Sequence, residues 1–204
     1  MAATLWANSD LTLNGALSGG SSGIQIAVKG PGTVTISNNA HNLGTNAAPA
    51  VWTITDGGTL ALTQGNNLGN LPSSATSQVI LDNGTLKTIT ANSPFFSSRG
   101  MQVNAAGGTW HDSAGGVSFD GAVANNGPLT VNTSVSNATS TLNGAISGSG
   151  SLIKTGAGTL VLSSGASNYT GATSVTAGKL VVNGNISTSL TTTVSGTGTL
   201  GGSG

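Results

Sequence analysis

Ten side chains of the 204 carry a formal charge: four Lys, one Arg and five Asp. Two histidines complete the set that could move a proton or hold a metal. His41 and His111 are the candidate general bases, and each stands in an Asn- or Gly-rich stretch. A Ser-His-Asp relay needs all three groups presented by a dedicated scaffold, for which a repetitive chain of this length leaves no room. His111-Asp112 with Asp120 is the densest run of metal-ligating types, yet two or three scattered ligands do not close a site. Asp56 and Asp82 stand 26 residues apart, before Gly-Gly and Asn-Gly respectively. Stacked in register, they would form a carboxylate pair suited to acid–base work on a polysaccharide. The competing reading is that each closes its own turn through side-chain bonds to the backbone. With 3% aromatics and five basic residues there is no sugar platform, and the turn reading is preferred.

Two short motifs are weaker still. Gly19-Gly20-Ser21-Ser22-Gly23 satisfies the nucleophile-elbow pattern, and Gly196-Thr197-Gly198-Thr199-Leu200-Gly201 satisfies a dinucleotide fingerprint. Each needs a helix to follow its turn, and none is expected here. Lys154 is read as a snorkelling or capping residue rather than a ligand-binding one. Pro94-Phe95-Phe96-Ser97-Ser98-Arg99 is the one apolar cluster in an expected loop, placed as a plug on the side of the fold. No residue is therefore assigned a catalytic, cofactor-binding or metal-binding role, no cofactor is expected, and the chain is read as a non-enzyme.

Charge excludes further classes. Five scattered basic residues make no stripe for nucleic acid. No apolar run approaches the 18 residues of a spanning helix, and no charged-then-apolar leader opens the chain. Without cysteine there are neither disulfides nor thiolate metal sites.

The elements that must carry these residues are strands. Gly, Ser, Thr and Asn make up 109 of the 204 residues, which alone would fit a low-complexity chain. The apolar residues, however, come in short alternating runs bounded by glycine. Gly-Thr-apolar recurs at Gly32, Gly58, Gly84, Gly108, Gly158 and Gly198, with variants at Gly127, Gly150 and Gly178. Apart from one step of 8, the intervals run from 19 to 26 residues. After each glycine a period-2 pattern places Val34 and Ile36, Leu60 and Leu62, Leu160 and Leu162, or Leu180 and Val182 on one face, read as the interior. A coil of that length with two or three short strands is a β-helix rung, so the expected fold is all-β, a parallel β-solenoid of about 8–9 rungs.

Residues 148–162, Gly-Ser-Gly-Ser-Leu-Ile-Lys-Thr-Gly-Ala-Gly-Thr-Leu-Val-Leu, lead to Asn168-Tyr169-Thr170-Gly171 and then to Ala177-Gly178-Lys179-Leu180. This stretch resembles the passenger-associated transport repeat of bacterial autotransporters, also described as the autotransporter-associated β-strand repeat. The resemblance is clear over 142–184; 1–141 reads as degenerate rungs of one domain and 185–204 as a partial next rung. It implies a right-handed parallel β-helix, exported through an outer-membrane translocation barrel and displayed at the cell surface. The expected role is a non-catalytic stalk or adhesive segment that supports export and self-association, with a glycan or a host or matrix surface as a further partner. Two alternatives are carried: a self-assembling filament subunit, and an ice- or carbohydrate-binding solenoid built on Thr33-Val34-Thr35, Thr53-Ile54-Thr55, Thr88-Ile89-Thr90 and Thr191-Thr192-Thr193.

Overall fold

A computed structural model of the chain describes residues 2–20, 23–37, 41–73, 76–91 and 98–204. Ser21, Ser22 and the cluster Pro94 to Ser97 lie outside them. The described chain winds through about eight turns of a β-solenoid in which every strand-to-strand ladder is parallel. The first face is a seven-stranded sheet made of Ala2–Trp6, Gln25–Lys29, Val51–Thr55, Thr76–Asp82, Arg99–Val103, Val123–Asn125 and Ile146–Ser147.

Alternation along each strand sends every second side chain inward, and register stacks these into columns. On the first face one column runs Ile26, Trp52, Val79, Met101, Val123, Ile146. Its neighbour runs Val28, Ile54, Leu81, Val103 and ends on the buried Asn125.

The second face is built from Leu11–Leu13, Thr33–Ile36, Thr59–Leu62, Gly84–Thr88, Gly108–Asp112, Leu129–Thr133 and Leu152–Thr155. A third face begins at Ser118–Phe119 and continues through Thr139–Leu142 and Thr159–Leu162. The ten-residue strand Thr173–Val182 passes through both: Leu152 pairs with Thr173, while Thr159 pairs with Lys179. This explains the single 8-residue interval of the glycine motif. Gly32, Gly58, Gly84 and Gly108 open second-face strands, whereas Gly158 and Gly178 stand at the entry to the third. Gly150 and Gly158 belong to one turn, and the motif marks two faces rather than one.

The interior expected from the alternation is the one observed. Val34, Ile36, Leu60, Leu62, Leu160 and Leu180 are fully buried, with Leu162 and Val182 nearly so. Trp110 and Phe119, from the second and third faces of one turn, meet at 6.0 Å between ring centroids with planes tilted by 55°. Corners bring successive turns into backbone contact. A Cβ on Gly144 would lie 1.9 Å from the carbonyl oxygen of Gly121, so no other residue fits there.

The ladder predicts how stability divides between the two sides of a strand. Leu60→Ala removes a buried side chain from a closed column and is expected to cost about 2–5 kcal/mol. Thr59→Ala, on the outward side of the same strand, should stay within about 1 kcal/mol. Chemical denaturation of the two variants measures the difference.

Candidate functional site

The residue types that could do chemistry are held apart by the ladder. His41 is nearly buried before the short strand Asn42–Leu43, where its Nδ1 accepts the Leu17 amide proton at 2.8 Å. His111 stands three turns further on, facing outward between Lys87 and Asn132 in the ladder, with Nε2 3.2 Å from Ser134 Oγ. Partial burial and the neighbouring Lys87 hold the His111 pKa below its ordinary value, opposed by Asp112. Strand alternation turns the adjacent Asp112 inward, away from His111. Asp120 lies past the third-face strand and accepts a bond from Asn143 Nδ2 at 2.7 Å. Among the described residues no three His, Asp or Glu side chains group as metal ligands.

Asp56 and Asp82 do not stack. Thr55 pairs with Asp82 on the first face, while Thr59 pairs with Thr85 on the second. Three residues turn the corner in one turn and two in the next, so counting from the glycine motif slips by one. At these two corners Asp56 and Asn83 are the non-glycine residues in the left-handed region, at φ 54° and 63°, and Gly57 N–H donates to Asn83 O at 2.8 Å. Asp56 also pairs with Lys29 at 3.3 Å, an exposed contact of small energetic consequence. Asp82 ends a first-face strand.

The outward threonines form one regular column: Thr33, Thr59, Thr85, Thr109 and Thr130. The column beside it reads Thr12, Thr35, Ala61, Lys87, His111, Asn132, Thr155, so threonine fills only one of these two columns. A shallow groove of about 290 Å³ follows the adjoining corner, lined by Asn83, Thr85, Thr109, Pro128 and Thr130.

The polar chemistry of this protein is instead inside it. Asp112 takes the inward slot that Leu13, Ile36 and Leu62 occupy in earlier turns, preceded by Thr88 and followed by Thr133. Its carboxylate is fully buried and accepts bonds from Thr88 Oγ1 at 3.0 Å and Ser140 Oγ at 2.5 Å. Backbone N–H groups of Ala114, Gly115 and Val117 add three more, at 3.1, 2.8 and 3.4 Å. Five donors replace the water that burial removes.

Arg99 is equally buried and has no carboxylate partner. Its Nη2 donates to Gly69 O at 2.8 Å, and its Nη1 to Gln78 Oε1 and to Asn70 O. Gln78 is available because the ladder slips between Gly100 and Met101, which pair with Ser77 and Val79 and leave Gln78 as a bulge. Burial brings the Arg99 pKa down to about 10, so the group stays charged at neutral pH.

Lys154 stands in the inward column of Leu60, Leu86, Trp110, Val131 and Val175. Its Nζ donates to the carbonyls of Thr155 at 2.7 Å, Gly156 at 2.8 Å and Ala177 at 3.1 Å. The sequence left snorkelling and capping open for Lys154, and the buried side chain caps three carbonyls. Tyr169, also buried, bonds Thr173 Oγ1 at 2.6 Å, and Thr173 reaches Ser189 Oγ at 3.0 Å.

Sequence reasoning missed Asp112 and Arg99 as structural groups. For Asp112 a signal existed, since it follows Trp110 by two residues and must therefore share its face. For Arg99 none did, because Gln78 reaches it through a bulge and its two carbonyl partners lie 29 and 30 residues away. Asp112, Arg99 and Lys154 each spend at least one bond on joining turns.

Two measurements follow. Asp112→Asn sets an amide NH2 among donors that need an acceptor and should destabilise the fold by about 2–4 kcal/mol in denaturant titration. Burial holds the Lys154 pKa at about 8, against 10.5 when unperturbed. Between pH 8 and 10 the unfolded chain then binds the extra proton, so Lys154 adds stability as pH rises. The thermal midpoint should climb across that window relative to Lys154→Met.

Residues 152–182 match the family model of the passenger-associated transport repeat. No curated protein and no solved structure matches the chain. The parallel ladder makes the chain a β-solenoid, and two of its turns hold the segment that matches the passenger-associated transport repeat.

Proposed function

We propose that this chain is a segment of the extracellular passenger of a bacterial autotransporter, acting as a non-catalytic stalk that supports export and surface display. The observation that carries the reading is a transport repeat at 152–182 lying in register within one continuous parallel ladder. Repeat family and fold are consistent with a structural role. A stack in which each turn templates the next suits a chain that crosses an outer-membrane barrel unfolded and coils on the far side. Adhesion and lateral self-association fall to the outward columns, where the threonine row offers hydroxyls at the strand spacing to a glycan, a matrix surface or a neighbouring stalk.

Proteinase added to intact cells of the natural host, with an antiserum to this chain as probe, tests the assignment. Signal lost without lysis is expected, and signal protected until the cells are broken would overturn it. For the non-catalytic part, polysaccharide and peptide panels should show no turnover. Turnover that disappears in Asp82→Ala or His111→Ala would refute it.

A further inference from the structure

The corner beside Lys154 is built differently from the corner stacked on it. Lys154 pairs with Val175 and Thr159 with Lys179, so residues 155–158 face only residues 176–178. The upstream corner holds one residue more, and its carbonyls cannot all be met by the strand below. Two of them, on Thr155 and Gly156, turn to the Lys154 ammonium, whose third bond goes to Ala177 O in the following turn. The return contact is Thr176 Oγ1 donating to Lys154 O at 3.2 Å. Gly178 makes the closure sterically possible, because a Cβ there would lie 2.9 Å from Lys154 Nζ and 2.3 Å from Gly156 O.

We propose that Lys154 is a coupling residue that makes the turn at 152–162 and the strand at 173–182 fold and open as a single unit. An ammonium in an otherwise apolar column is satisfied only when both turns are in place. With the downstream strand undocked it retains its two local acceptors and loses Ala177. The segment matching the repeat family spans both partners, so the working unit of the repeat is a pair of stacked turns clasped by one lysine. The inference stands on the geometry and does not depend on the passenger assignment.

Native-state amide hydrogen exchange on the full chain reads the coupling directly. In the wild type, amides of 152–162 and 173–182 should open with one common free energy. In Lys154→Met, protection of 173–182 is expected to fall tenfold or more while 152–162 keeps its own. Equal protection of both segments in the variant, or a uniform loss along the whole chain, would overturn the proposal. A second measurement needs no variant: nitrogen-15 lysine spectra should show a slowly exchanging Lys154 ammonium beside fast-exchanging Lys87 and Lys179. An ammonium as fast as those two would refute the clasp.

Discussion

Parallel, in-register stacking is the constraint on which this structure depends. Successive strands lie about 4.8 Å apart, so each residue sits on its counterpart one turn away and must be compatible with it. Leu, Val and Ile meet that demand by packing on their own kind, and the columns Ile26 to Ile146 and Val34 to Trp110 are closed to solvent in this way. A charged group in such a column cannot stack on its like. Asp112, Arg99 and Lys154 each answer with backbone, hydroxyl or amide groups, at least one of them drawn from a neighbouring turn. The carboxylate takes N–H and O–H donors, and the two cations take carbonyls. Without these bonds, burial alone would cost each group several kcal/mol.

The same constraint acts on the outside. Lys87 beside His111 is a like-charge neighbour pair whenever the imidazole is protonated, and it helps hold the His111 pKa down. Rows of charge along a face would multiply that penalty, which accounts physically for ten charged residues in 204. Threonine has no such cost and favours a pleated surface, so it fills an outward column over five successive turns.

Much of this was legible in the residues. The alternation at Val34–Ile36, Leu60–Leu62 and Leu160–Leu162 revealed strands and their inward side, because a period of two is local. The glycine motif revealed a coil, because a turn must return to its own beginning. It did not reveal that Gly150 and Gly158 open two faces of one turn, since both corners impose the same steric demand on the backbone. Nor did it place Asp56 over Asn83, where corners of three and two residues shift the register.

By itself, then, the amino-acid sequence determined strand identity, the apolar side of each strand and the family of the repeat. All three are encoded within a few residues or within one repeat. Tertiary structure decided which residue lies over which, and with it the role of every buried charge. Beside their local partners, Lys154 and Asp112 each need groups that arrive 23 to 28 residues away, and one partner of Arg99 waits on a bulge at Gln78. Register is a sum over corner lengths, and only the folded stack carries out that sum.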